Sequence, residues 1–99
     1  MKIDVNVLEF EWDKGNIGKN KKHHVEDKEA EEAFLDERKK IFKDKLHSSG
    51  EERFRIRIIG KTKKGRLLFV VFTIRKGKIR IISARNINKK EVYLYEETT

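Results

Sequence analysis

Between residues 53 and 85 three strand-like runs follow one another with only short turns between them, and this leaves the chain little choice of architecture. In "RFRIRII" (53–59) Phe54, Ile56 and Ile58 alternate with Arg53, Arg55 and Arg57, the period-two pattern of a strand with one buried face. "GKTKKG" (60–65) is a hairpin connection with glycine at both ends. "RLLFVVFTIR" (66–75) is apolar on both parities, as expected of a central strand covered on both faces. "KGK" (76–78) turns the chain into a third run over 78–85. Runs joined so tightly pair antiparallel.

The rest of the chain must cover this sheet. In "VNVLEFEW" (5–12) Leu8, Phe10 and Trp12 alternate with Glu9 and Glu11, which predicts another strand with one buried face. Asp13 offers a helix N-cap, and 14–24 reads as a short basic helix despite Gly15 and Gly18. "DKEAEEAFL" (27–35) spaces Ala30, Ala33 and Phe34 helically, with acids opposite. Residues 36–50 are highly charged, leave room for one short strand around Ile41–Phe42, and end in the loop signal "HSSG". Asn88-Lys89-Lys90-Glu91 resembles a capping box opening a final helix of about two turns. The expectation is an α+β domain spanning 1–99: an N-terminal strand and two helices, a three- to four-stranded antiparallel sheet, and a C-terminal helix.

Composition narrows the class. A domain of 99 residues buries roughly 60–70% of its unfolded surface. With 42% charged residues it keeps a strongly polar exterior, yet the apolar residues are concentrated in the strand runs, which favours a folded domain over disorder. The longest apolar run, "LLFVVF" (67–72), is far short of the roughly 20 residues that cross a bilayer. Asp4 interrupts the N-terminus before any apolar signal core, and the chain has no cysteine, so a cytoplasmic location is expected. The net charge of +8 arises from 25 Lys+Arg against 17 Asp+Glu, with bases clustered at 14–23, 53–66, 75–80 and 85–90. Such asymmetry points to a polyanionic partner, nucleic acid first.

Familiar catalytic motifs are absent. "GKTKKGR" lacks the Lys-Ser/Thr of a phosphate loop and precedes a strand instead of a helix. His23, His24 and His47 have no metal-ligand spacing, and no cofactor or metal is expected. Histidine with many arginines suits RNA cleavage without a metal. The 2′-hydroxyl is the nucleophile, an imidazole moves the proton, and guanidinium groups carry the growing charge. The plainer reading of Arg53, Arg55 and Arg57 is a solvated strand face.

"IRIISARNINKKE" (79–91) poses a parity problem. Arg85 lies five residues after Arg80, so an unbroken strand places it on the apolar Ile79/Ile81 side. A bulge, or the turn at Asn86, would instead bring it to a cleft rim beside Lys89 and Lys90. There it either meets substrate or pairs with Glu91 or Glu52.

"FEWDKGN" (10–16), "KH" (22–23), "EERF" (51–54), "GRLLFVVFTIR" (65–75), "RIISARN" (80–86) and "KKEVYLY" (89–95) together resemble the BrnT toxin family, over residues 8–96. The resemblance implies a RelE-like fold and a type II toxin that cleaves RNA and so blocks translation. It also implies a BrnA-type antitoxin with a ribbon-helix-helix DNA-binding element, the complex repressing its own operon and touching operator DNA only through the antitoxin. By motif, it makes His23 the acid or base, and Arg66, Arg80 and Arg85 the phosphate and transition-state stabilisers. Lys22, Arg75, Lys89 and Lys90 would add backbone affinity, and Tyr95 would stack or orient. Glu26 and Asp27 stand where a Ser/Thr cap and an apolar residue are common in the family, so the second helix is expected to start less firmly. The alternative function is a non-catalytic nucleic-acid-binding module or an inactive toxin homologue.

Overall fold

Three antiparallel strands form where the turn spacing requires them: β3 (Ile56–Lys61), β4 (Leu67–Arg75) and β5 (Lys78–Asn86). The computed structural model describes residues 9–43 and 55–96. Leu8, Glu52, Arg53, Phe54 and the loop expected at 47–50 lie outside the described residues. The short strand expected near Ile41–Phe42 is β2 (Lys40–Lys43), antiparallel to β3. The N-terminal strand does not stand apart from the sheet. Its described part, β1 (Glu9–Phe10), pairs parallel with β5 through Glu9–Lys78 and Phe10–Ile79. The sheet is therefore five-stranded and mixed, in the order β1-β5-β4-β3-β2.

Helix α1 (Asp27–Leu35) covers one face. Ala30, Ala33 and Phe34 pack on Ile56 and Ile58, on Leu68, Val70 and Phe72, and on Ile79, Ile81 and Ala84. Phe34 stands edge-on to Phe10 and Phe72, with ring centroids 5.4 and 4.9 Å away, the preferred arrangement of aromatic quadrupoles. The helix starts well anchored despite its acidic cap: Glu26 N–H donates to Glu29 Oε1 at 3.0 Å, and the Asp27 carboxylate accepts the Gly18 N–H. At the other end of the packing, Gly60 lies directly against the Ala33 carbonyl.

The basic helix expected over 14–24 reduces to a 3₁₀ segment, Lys19–His23. Gly18 adopts φ +67° at its start and His24 φ +60° at its end, so no α-helix propagates through either. Asp13 does not cap a helix; its Oδ1 accepts the Gly15 N–H at 2.7 Å. The segment takes over where β1 leaves the edge of β5. Asn16 Nδ2 donates to the Ile81 carbonyl at 3.1 Å, and Asn20 Oδ1 accepts the Ala84 N–H at 3.0 Å. Both asparagines are buried and do the work of missing strand residues. Asn20→Ala strands a buried N–H and is expected to cost about 1–3 kcal/mol in denaturant unfolding. Asn20→Asp keeps the acceptor and is expected to cost less; equal losses would remove this role.

Helix α2 (Lys89–Glu96) opens with the expected capping box: Asn88 Oδ1 accepts the Glu91 N–H, and Glu91 Oε1 accepts the Asn88 N–H. It lies on the other face of the sheet, where it packs against β3 and reaches Arg85 through Glu91 and Asp36 through Tyr95. Ile59, on that face, is fully buried, but Phe69 and Val71 of β4 are only half-buried. The central strand is thus well covered on one face and only partly on the other. No helix among the described residues is long and apolar enough to cross a membrane.

Candidate functional site

A bulge in β5 creates the site. Phe72 pairs with Ile81 but Val71 pairs with Ser83, so Ile82 is an extra residue on β5 that shifts its parity by one. Ile79, Ile81 and Ala84 all face α1, while Arg80 and Arg85 both emerge on the partly open face, opposite Thr73 and Phe69. The parity problem of the sequence is solved by the bulge. Two arginines that an unbroken strand would send to opposite faces share one.

At the lower end of this face Arg80 is held firmly. Its Nη1 donates to Glu11 Oε1 at 3.0 Å and Asp13 Oδ2 at 2.9 Å, and its Nη2 to Asp13 Oδ1 at 3.0 Å. Gly15 allows this approach, since a Cβ there would lie 2.5 Å from Arg80 Nη2. The hydrogen bond from Arg80 holds the Asp13 carboxyl below its ordinary pKa. Arg75 joins through a single contact of 3.2 Å to the same Glu11 Oε1, and its buried Nε has no hydrogen-bond partner.

At the upper end Asn86 links the two faces: its side chain, on the Leu68 parity, turns to the α1 face and Arg66, and its backbone carbonyl meets Arg85 on the open face. Arg85 makes a two-pronged pair with Glu91 at 3.0 and 2.9 Å, donates to the Asn86 carbonyl at 2.9 Å, and sits 4.5 Å above the Phe69 ring. Arg66 donates from Nε to Asn86 Oδ1 at 2.7 Å, and from Nη1 to the His24 carbonyl at 2.7 Å and to Glu29. Its Nη2 reaches the His23 carbonyl at 3.5 Å. Arg66 therefore ties the end of the 3₁₀ segment, the start of α1 and the end of β5 together. Of the residues singled out in the sequence, Arg66, Arg85 and the His23 backbone meet around Asn86. No hydrogen bond joins the half-buried His23 side chain to any of the three arginines. Arg80 stands at the other end of the face, beside Arg75.

Lys22, Lys89 and Lys90 are exposed. Tyr95 is half-buried, with its hydroxyl donating to Asp36 Oδ2 at 2.7 Å and Lys61 Nζ 5.7 Å from its ring centre. Burial, then the Asp36 hydrogen bond, pushes its pKa up to about 12. The hydroxyl is a tether of α2. Sequence reasoning missed Asn86, Glu29 and the Glu11/Asp13 pair as members of the site. The two acids lie inside "FEWD", but nothing local marks carboxylates whose arginine partners are more than 60 residues away. Among the described residues no three His, Asp or Glu side chains converge as metal ligands.

The arrangement offers an arginine-lined sheet face on a small basic domain. A family model described as the ribonuclease toxin, BrnT, of type II toxin–antitoxin systems matches residues 12–91. The chain belongs to this family of ribonuclease toxins, and a type II toxin has an antitoxin as its partner. No curated protein matches it.

Proposed function

We propose that the chain cleaves RNA on the partly open face of its sheet, at the Asn86 end of β5, without a metal ion. The observation that carries this reading is the bulge at Ile82, which brings Arg85 onto the same face as Arg80 and over Phe69. The RNA phosphate takes the guanidinium fork of Arg85 in place of the Glu91 carboxylate. The 2′-oxygen then attacks phosphorus, its proton passes to a base, and the P–O5′ bond breaks as O5′ receives a proton. The products are a 2′,3′-cyclic phosphate and a 5′-hydroxyl. His23 serves as acid or base, and Arg66 fixes the backbone that carries it. Arg85 stabilises the charge that grows on the phosphoryl oxygens, while Arg80, tied to Glu11 and Asp13, fixes the lower end of the face. Lys22, Arg75, Lys89 and Lys90 add affinity for the backbone.

In this reading the fold is RelE-like, the toxin blocks translation in the cytoplasm, and a BrnA-type antitoxin with a ribbon-helix-helix element neutralises it. The complex represses its own operon and meets operator DNA only through the antitoxin. Purified protein is expected to degrade RNA in EDTA and to leave 2′,3′-cyclic ends, as analysed by mass spectrometry. Loss of cleavage on chelation would defeat the metal-free mechanism. Salt-sensitive RNA binding without products would favour the non-catalytic binding module.

A further inference from the structure

Strand β4 runs unbroken beneath both arginine clusters and serves as a ruler between them. Arg80 stands opposite Thr73 and Arg85 opposite Phe69. Four residues of strand therefore separate the two rows, roughly 13 Å at about 3.3 Å per residue. Arg75 itself pairs with Lys78, two residues beyond Thr73, but its guanidinium reaches back to the lower row, where its Nη2 and Arg80 Nη1 share one oxygen of Glu11.

The arginines are not equally available. The Arg80 side chain is 17% exposed and makes three hydrogen bonds to two carboxylates. The Arg75 and Arg85 side chains are each 41% exposed. Ion pairs at such exposure are worth little, so a phosphate displaces the carboxylate at small cost. Arg75 has a single contact and a buried, unpartnered Nε, so its present position leaves a donor unsatisfied. Arg85 surrenders a two-pronged pair, but Glu91 retains its hydrogen bond from the Asn88 N–H when Arg85 turns to a phosphate. Glu11 likewise keeps Arg80 when Arg75 leaves it. Each exposed arginine thus holds a carboxylate that stands where an RNA phosphate oxygen would, with a second partner waiting.

Building on the ribonuclease reading above, we infer that Arg75 and Arg85 are two separate phosphate subsites for one single strand of RNA, set two sugar–phosphate repeats apart. A repeat has six backbone bonds of about 1.5 Å, which reach roughly 7 Å once bond angles are allowed for. Two repeats match the distance between the rows. The floor between them is low, with Val71 opposite Ser83, and leaves space for the intervening phosphate. A strand held at both ends in an extended form is also freed from A-form stacking. Its 2′-oxygen is then able to move in line with the leaving 5′-oxygen. Arg80 touches no phosphate in this arrangement and acts by holding Glu11 and Asp13 in place.

Three consecutive phosphates are needed to fill both subsites, which requires a tetranucleotide. The test uses the full chain and uncleavable 2′-O-methyl oligonucleotides of two to six residues, with affinity read by fluorescence anisotropy. Affinity is expected to rise at least tenfold between three and four nucleotides. Arg75→Ala is expected to abolish that step, so that tetranucleotide and trinucleotide then bind with about equal affinity. Arg85→Ala is expected to weaken every length. A smooth rise with length, or a step that survives Arg75→Ala, overturns the two-subsite geometry. Parallel assays with ordinary RNA read the ribonuclease reading separately. Absence of cleavage by the unaltered protein would sink that reading, while the step in binding alone decides the subsites.

Discussion

Arg85→Ala is expected to lower kcat/KM for RNA cleavage by about 10²–10³-fold, the usual loss when one preorganised donor to a transition-state oxygen is removed. The same change also removes the pair with Glu91 and the contact with Phe69. The stability cost should stay on the order of 1 kcal/mol, because the Arg85 side chain is 41% exposed. Arg85→Lys should recover little activity, since an ammonium lacks the planar fork that holds two oxygens at once. Glu91→Gln is the decisive companion. It breaks the same ion pair from the other side but leaves the guanidinium on the face, so cleavage should persist. If Arg85→Ala stays folded and cleaves within about threefold of the unaltered protein, Arg85 is only a tether of α2. Equal losses in Arg85→Ala and Glu91→Gln would assign its importance to docking the helix.

The second large effect concerns stability. A Cβ at Gly60 would overlap the Ala33 carbonyl oxygen and lie 2.7 Å from its carbon. Both are backbone atoms of α1, so no side chain is able to swing aside. Gly60→Ala therefore forces the helix off the sheet, with Phe34 at the centre of the core beside it. The expected cost is about 3 kcal/mol or more, a fall in Tm of more than about 10 °C for a domain of this size. Thermal unfolding followed by circular dichroism measures it. A loss below about 1 kcal/mol would mean that α1 and β3 do not approach this closely. The change should also disturb the site, because Glu29 of α1 holds Arg66, and Arg66 holds Asn86.

Much of this architecture was readable in the chain, for reasons tied to particular residues. The alternation of Ile56 and Ile58 with arginines, the short turns at 60–65 and 76–78, and the helical spacing of Ala30, Ala33 and Phe34 are local patterns. They act through neighbouring residues and so survive without knowledge of the fold. The capping box Asn88–Glu91 is of the same kind, and it forms as the spacing requires. The 14–24 segment was misread because its fate is decided at a distance. Asn16 and Asn20 give up helical roles to complete the edge of β5, more than 60 residues away.

The candidate site divides in the same way. Sequence alone determined that the chain carries a basic, strand-rich domain with arginines in excess, because side-chain alternation and charge are properties of neighbouring residues. It also carried the family motifs. It could not determine which arginines share a face, since one extra residue in a strand reverses every later side chain and no residue type announces it. The bulge at Ile82 is settled by how β5 pairs with β4. Nor could it foresee that Glu11 and Asp13 would meet Arg75 and Arg80, because strand β1 joins β5 in parallel only once the intervening chain has crossed the sheet. Tertiary structure turned a surplus of positive charge into two arginine rows on one face, each held by carboxylates.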